Sequence, residues 1–137
     1  MTFPRVRSCA FWVGVRATRL SLRTLGFAKT ITALGLVPRF RGRRSVAAGN
    51  AHQWADMIDR VSGRPYGGTC LDRSVFLWFV MRLHGLDGFV RIGITLDGGA
   101  IDGHAWVEID GRVINDEADV ADSFAVFDED PVGVVFR

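Results

Sequence analysis

Two residues in the second half of the chain have the types and settings that nucleophilic chemistry requires. Cys70 follows Gly67-Gly68-Thr69 and opens an apolar stretch, and His104 lies in Gly103-His-Ala-Trp-Val-Glu108. At the first turn of a helix, the dipole and the free backbone N–H groups favour the thiolate form of cysteine. A neutral imidazole beside such a thiol is the base that acyl transfer needs. The pair therefore predicts a cysteine nucleophile with a histidine base.

Other interpretations of these residues stay open. A buried cysteine is often a small inert hydrophobic side chain, and His104 could simply occupy the edge of a strand. His52 and His84 are weaker candidates for the base. His52 falls near the start of one predicted helix and His84 at the end of another, where a cation suits the helix dipole.

A third group should orient His104, and the first choice is Asp116 in Ile114-Asn-Asp-Glu117. A strict two-residue turn at Asp110-Gly111 would turn Asp116 away from His104, because side chains alternate along a strand. A bulge or a three-residue loop reverses that direction. Asp116 therefore implies an irregular hairpin. The competing third members are Asp102, Asp110, Asn115 and Glu117, and a regular hairpin favours Asn115 or Glu117.

A helix beginning at Thr69 or Cys70 is predicted to present the nucleophile. Thr69 and Asp72 have the spacing of a capping box. The sequence from Leu71 to Leu83 is apolar nearly all round, which predicts a helix buried on most of its surface. Gly85 is a natural stop after it.

Strands are predicted to carry the base. Period-two alternation from Phe89 to Leu96 predicts one strand, and His104 to Ile109 the next. Asp110-Gly111 is a hairpin signal, with Arg112 to Asn115 as the returning strand. The tail, Phe124 to Phe136, is expected to add a short strand.

Helices are predicted for the first half of the chain. Residues 1–48 form a basic, helix-prone segment interrupted by Gly26 and Gly35, and an amphipathic helix is expected from Asn50, as N-cap, to Val61. Helices followed by an antiparallel sheet predict an α+β fold. We divide the chain into a basic helical N-terminal arm at 1–48 and a catalytic core at 49–137.

Composition and charge narrow the classes of function. The 137 residues are 48% hydrophobic and 23% charged, which is ordinary for a soluble globular protein. Residues 1–55 hold ten Lys and Arg and no acid, whereas 56–137 hold seven against fifteen acids. The basic half is expected to contact an acidic partner or the acidic half of its own fold. Nucleic acid is not expected, since no nucleic-acid motif accompanies the charge.

Cysteine usage and hydropathy set further expectations. Two cysteines, Cys9 and Cys70, make a poor disulfide framework and favour a reducing cytoplasm. The chain has no CxxC, HxxxH or HExxH spacing, so no metal or other cofactor is expected. The longest apolar run near the start, Cys9 to Val15, is far below the length of about 20 residues that a membrane span requires.

Three segments together resemble a known family. They are Thr69-Cys-Leu-Asp-Arg-Ser74, Val90-Arg-Ile-Gly93 and Gly103-His-Ala-Trp-Val-Glu-Ile-Asp-Gly-Arg112. In this order and spacing they resemble the lasso-peptide leader peptidases, cysteine proteases with a transglutaminase-like (papain-like) fold. The resemblance covers about residues 50–120. It implies a Cys–His–Asp triad of Cys70, His104 and Asp116, with no cofactor.

The resemblance also implies a substrate and partners. The substrate would be the leader segment of a ribosomally made lasso-peptide precursor, removed during maturation. A separate leader-recognition protein and an ATP-dependent macrolactam cyclase are the expected partners. The length of the chain suggests the split, protease-only form of the family. Two alternatives stay open: another acyl transfer on the same scaffold (transamidation, deamidation or cyclisation), and a non-catalytic basic adaptor of a maturation complex.

Overall fold

Helices occupy the first half of the chain and strands the second, which confirms the predicted α+β class. A computed structural model describes residues 5–40, 44–63 and 69–126. The helices are α1 (Arg5–Leu25), α2 (Phe27–Gly35), α3 (Arg44–Val61) and α4 (Cys70–Leu83). The strands are β1 (Phe89–Asp97), β2 (Ala100–Ile109), β3 (Arg112–Val113) and β4 (Ala125–Val126), with a 3-10 turn at Val120–Ser123. The sheet is antiparallel in the order β3-β2-β1-β4.

Helix α4 is the centre of the core. Thr69 caps it in the predicted box: its hydroxyl accepts the Asp72 N–H, and the Asp72 carboxylate accepts the Thr69 N–H. The predicted burial of this helix is also confirmed. Its buried apolar side chains are Val75, Phe76, Leu77, Trp78, Val80 and Met81. Helices α1 and α3 and the β1–β2 hairpin all pack against it.

Helix α1 packs closely on α4 at Gly14. A Cβ at Gly14 would lie 2.2 Å from the ring of Phe76, so only glycine permits this approach. Phe11 adds an edge-on contact to Phe76, with ring centroids 5.6 Å apart. Arg19 lies 3.9 Å from the carboxylate of Asp72. The division into an arm at 1–48 and a core at 49–137 stays a prediction.

Part of the basic charge of the first half is directed at the acidic second half. Besides Arg19 beside Asp72, Arg39 donates to Asp87 at 2.9 Å. These contacts match the expectation that the basic segment faces acids of its own fold. The Arg39 pair is exposed, and exposed ion pairs contribute about 0–1 kcal/mol to stability.

Helix α3 begins earlier than the sequence pattern indicates. Asn50 was predicted as its N-cap, but the helix begins at Arg44 and Asn50 lies inside it. Ala47 and Ala48 are strong helix formers, so the helix continues in the N-terminal direction past Asn50. The predicted apolar stripe is present, with Ala51, Ala55 and Ile58 buried.

The strands follow the predicted alternation, with one early start and one early ending. β2 was predicted to begin at His104 but begins at Ala100, because residues 100–103 continue the pairing with β1 from the turn at Gly98-Gly99. β1 and β2 pair without interruption from Phe89↔Glu108 to Asp97↔Ala100. β3 was predicted to reach Asn115 but ends at Val113. β4 supplies the short strand expected in the tail, and the rest of that prediction, 127–137, lies outside the described residues. Within the described ranges, none of the helices has both the length and the apolar character that crossing a bilayer requires.

Candidate active site

Cys70 is the first residue of α4, half-buried and not in a disulfide. The cap uses two N–H groups of the first turn, since Asp72 donates to the Thr69 hydroxyl and Arg73 to the Thr69 carbonyl. Within the described chain, the N–H groups of Cys70 and Leu71 are therefore left for another acceptor. Such groups could hold an anionic oxygen next to the Cys70 sulfur.

His104 on β2 is hydrogen-bonded to Asp116. The bond joins His104 Nε2 to Asp116 Oδ2, and Asp116 Oδ1 accepts the N–H of Glu117 at 2.8 Å. Both carboxylate oxygens are thus engaged, which fixes the carboxylate. Because Nε2 of His104 faces Asp116, Nδ1 is the ring nitrogen that remains to exchange a proton with a thiol.

The hairpin that delivers Asp116 is regular at its turn and ends early. Asp110 and Gly111 both have positive φ, 49° and 75°, as a two-residue hairpin turn of this kind requires. Pairing continues through Glu108↔Val113. Ile114 still donates to the Val107 carbonyl at 2.9 Å, and residues 115–116 then leave the ladder, so strand alternation does not govern the direction of Asp116. The predicted bulge or three-residue loop is therefore wrong: the hairpin turn is the regular two-residue one, which was expected to favour Asn115 or Glu117. Asp116 nevertheless reaches His104, because the ladder ends before it.

The three predicted residues meet at one cleft of about 200 Å³. Cys70 comes from the start of α4, His104 from β2 and Asp116 from the segment after β3. The structure therefore brings residues 46 positions apart in the chain to one place. The lining residues are Asp59, Cys70, Arg73, His104, Ala105, Asn115 and Asp116.

Ser74 connects the three elements that carry those residues. Its side chain is fully buried, one helical turn after Cys70. The Ser74 hydroxyl donates to the carbonyl of Ala105 at 3.1 Å and accepts from the Asn115 amide at 3.1 Å. Asn115 Oδ1 in turn accepts the N–H of Val107 at 2.8 Å. Ala105 is next to His104, Asn115 is next to Asp116, and Val107 belongs to β2 itself. These bonds therefore let Ser74 set the position of α4 against β2.

Asn115 was a competing third member of the triad, but its hydrogen bonds show that it joins Ser74 to β2. Its amide lines the cleft but is committed to Ser74 and Val107. Asp102, Asp110 and Glu117 are exposed and are not among the lining residues. Of the five candidates for the third member, Asp116 is the one hydrogen-bonded to His104.

Aromatic rings hold the His104 imidazole. Phe124 stacks on it, with ring centroids 5.2 Å apart, and Trp106 lies 5.9 Å away. A Cβ at Gly93 would lie 2.6 Å from the Cβ of Phe124 and 3.2 Å from the ring of Trp106, so the glycine makes room for both residues. Sequence reasoning missed Phe124, because it reaches β2 only through the tail's return to β1.

Trp106 supports the site from inside the fold. It is fully buried, and its Nε1 donates to Glu108 at 2.9 Å. The other oxygen of Glu108 accepts from Arg91 Nε at 3.2 Å. Trp106, Glu108 and Arg91 therefore stabilise β1 and β2 next to His104, and they do not line the cleft.

Asp59 and Arg73 form the charged part of the cleft wall. Arg73 Nη1 lies 3.6 Å from Asp59 Oδ1. Burial raises the pKa of the Asp59 carboxyl, and the Arg73 guanidinium opposes that rise. The carboxylates of Asp56 and Asp116 raise this pKa further. Asp59 had no recognisable signal in the sequence, since it contributes through α3 and not through a motif.

The other histidines lie at different places in the fold. His52 Nδ1 contacts the carbonyl of Ile114 at 3.1 Å, which ties α3 to the segment before Asp116. His84 Nδ1 bonds to the carbonyl of Val80, with Trp54 and Phe40 against its ring. Among the described residues, no group of three or more His, Cys, Asp or Glu side chains could hold a metal ion.

The chain belongs to the transglutaminase-like superfamily. The family model described as "Transglutaminase-like superfamily" matches residues 12–128. This superfamily is a scaffold of cysteine-based enzymes of the protease and acyltransferase type. No curated protein and no solved structure matches the chain.

Proposed function

We propose that the protein is a cysteine peptidase that removes the leader segment from a ribosomally made lasso-peptide precursor. The observation that carries the proposal is the meeting of Cys70, His104 and Asp116 at one cleft, with His104 bonded to Asp116. The superfamily match supports cysteine-based acyl transfer. The resemblance of the segments around Cys70 and His104 to leader peptidases supports the narrower substrate class.

The proposed reaction begins with the Cys70 thiol giving its proton to Nδ1 of His104. The thiolate attacks the scissile carbonyl, and the N–H groups of Cys70 and Leu71 stabilise the oxyanion. The imidazolium then passes its proton to the leaving amine as the C–N bond breaks, leaving a thioester on Cys70. Asp116 keeps the imidazole oriented and stabilises its positive charge.

Water completes the proposed cycle. His104 takes a proton from water, the resulting hydroxide attacks the thioester, and a carboxylic acid leaves as the thiol is restored. The products are the leader, with a new carboxylate, and a core peptide with a new amino terminus. A leader-recognition protein that brings the precursor and an ATP-dependent cyclase that closes the macrolactam are part of the proposal.

A second acyl transfer is the alternative that the same cleft supports. If an amine replaces water as the acceptor, the three residues perform transamidation or peptide cyclisation, and hydrolysis of a side-chain amide would be deamidation. The superfamily match accommodates both types of enzyme. The products distinguish them by mass, because hydrolysis adds one water and cyclisation after cleavage does not.

The test is mass spectrometry of a precursor peptide incubated with the protein and its leader-binding partner. Cys70→Ala should abolish leader removal, whereas Cys9→Ala, at an exposed cysteine on α1, should retain it. Complete leader removal by Cys70→Ala would contradict the proposal. A product in which an added amine has replaced ammonia would favour transamidation.

A further inference from the structure

The outer edge of β2 has a fixed pattern of backbone groups. Pairing with β1 has no bulge, so every second residue of β2 directs its N–H and C=O away from β1. Val107 sets the phase: its N–H binds Asn115 and its carbonyl accepts from Ile114, both on the outer edge. By this phase, Ile101 and Gly103 direct their backbone groups to the same outer edge.

This part of the edge is open. β3 pairs only with Glu108 and Ile109 of β2. In the part of the chain that the structure describes, no strand pairs with the outer edge at Ile101 or Gly103. Both residues are exposed, and a Cβ at Gly103 would meet nothing within 4 Å. With respect to residues 5–40, 44–63 and 69–126, two donors and two acceptors are therefore available to an incoming strand.

The open edge leads into the candidate active site. Ala105 is the next residue in the same phase, and it lines the cleft together with Cys70. His104 lies between Gly103 and Ala105. The carbonyl of Ala105 is already bonded to Ser74, so the open edge ends where the cleft begins. A chain that follows this edge therefore arrives beside Cys70.

The same end of the hairpin exposes apolar side chains. Leu96 and Ile101 are directly opposite each other and share one face of the sheet. They are 75% and 73% exposed. In an added strand, every second side chain would lie on this face beside Ile101. The edge therefore favours apolar side chains at alternate positions of its ligand.

We infer that the edge of β2 at Ile101 and Gly103 binds an extended segment of the peptide substrate as an added strand, and so leads the scissile bond to Cys70. Backbone hydrogen bonds supply affinity in this mode of recognition, and alternate side chains supply selectivity. The inference rests on the proposed peptidase function. It assigns to the substrate an extended backbone and an apolar side chain at alternate positions near the cleavage point.

The test compares Ile101→Pro with Ile101→Ala. Both variants lose the exposed side chain, but only proline also removes the outward N–H. Proline is tolerated where the N–H faces away from the ladder, as at this edge. The substrates are the fluorogenic decapeptide that the wild type cleaves best from a mixed-sequence pool, and p-nitrophenyl acetate as a reference for the chemistry of Cys70. Circular dichroism compares the folds of both variants.

The ratio of decapeptide to ester kcat/KM should be about five- to tenfold lower for Ile101→Pro than for Ile101→Ala, as expected for one lost hydrogen bond. The lower ratio should arise from a higher KM for the decapeptide. Equal ratios for the two variants would overturn the inference. If Cys70→Ala cleaves the decapeptide as fast as the wild type, the proposed function fails instead, so the two failures are distinguishable.

A change on the peptide side keeps the inference testable if proline unfolds the protein. N-methylation of one decapeptide amide at a time removes one donor without altering the protein. An added strand predicts weakened cleavage at every second methylated position, whereas a uniform pattern would contradict it. The wild type could instead use this edge to dimerise. In that case the KM for the decapeptide would rise with protein concentration, and this result would overturn the inference.

Discussion

The two ends of β2 differ in what holds them. The end from Ala105 to Ile109 pairs with β1 and, at its far end, β3, packs on α4, and has Ala105, Trp106 and Val107 buried. The end from Ala100 to Gly103 is exposed and, among the strands of the described residues, pairs with β1 alone. His104 lies at the boundary. A rigid inner end can hold a catalytic imidazole in place, while an open outer end leaves room for a substrate.

The difference has a local chemical origin. At the inner end, buried residues and the Ser74–Asn115 bonds satisfy the outer edge of the strand. At the outer end, none of the described strands other than β1 pairs with Ile101 or Gly103. Along β2, the candidate base therefore has buried neighbours on its Ala105 side and exposed neighbours on its Gly103 side. Variants at the two ends of β2 should therefore differ in their effects on stability and on the rate of cleavage.

The largest effect is expected where the inner end meets Asp116. Asp116→Asn should lower the rate of leader removal by about 10²- to 10⁴-fold, because the amide neither stabilises the imidazolium nor selects the right tautomer of His104. Asp122→Asn, at an exposed acid of the 3-10 turn, is the control and should retain activity. Steady-state cleavage rates measure both. A less than threefold loss for Asp116→Asn would remove Asp116 from the site.

Ser74→Ala should have the next largest effect, on both stability and the rate of cleavage. It leaves the Ala105 carbonyl and the Asn115 amide without their partner, which should cost about 2–3 kcal/mol of unfolding free energy. It should also slow cleavage, since α4 loses its tie to β2. Ser62→Ala is a matched control, because the Ser62 hydroxyl is buried and has no hydrogen-bond partner among the described residues. Urea unfolding of both should give a near-zero change for Ser62→Ala, and equal losses would contradict the part assigned to Ser74.

Packing should separate the two ends of the strand directly. Val107→Ala removes methyl groups from a fully buried position and should cost about 2 kcal/mol. Ile101→Ala, at a 73% exposed position, should cost less than about 0.5 kcal/mol. Thermal and urea unfolding compare them. A loss for Ile101→Ala as large as that for Val107→Ala would mean that the outer end is covered.

The smallest effect concerns pH and Asp59. Burial raises the pKa of Asp59 above 3.8, so the folded state holds this proton to higher pH than the unfolded chain. The contribution to stability is present below the unfolded pKa and is lost as pH rises through the native one. The Tm of the wild type relative to Asp59→Asn should therefore fall, by about 2 °C or less, as pH rises from 3.5 towards 7. A difference that is constant or rises with pH would contradict the shift.

Features set by neighbouring residues could be predicted from the sequence. The Thr69–Asp72 box spans three residues, and the alternation of β1 is readable position by position. The start of α3 was misjudged, because Asn50 suits a cap while Ala47 and Ala48 suit a helix equally well. Local preferences of similar size leave such a boundary undecided.

Features that join distant segments could be predicted only in part. The spacing suggested Asp116, but its approach to His104 depends on where β3 ends and on the Ser74–Asn115 bond across 41 residues. Phe124 reaches His104 because the tail returns to β1. Asp59 reaches the cleft through the packing of α3. Tertiary contacts decide each of these, and no single stretch of sequence encodes them.

The most direct test of the central claim is the rate at which iodoacetamide alkylates Cys70. Intact-mass spectrometry at near-neutral pH would follow the reaction in a Cys9→Ala background, so that Cys70 is the one remaining cysteine. If His104 activates the thiol, adding His104→Ala should slow alkylation by about tenfold or more. Equal alkylation rates with and without His104 would contradict the pairing of Cys70 with His104.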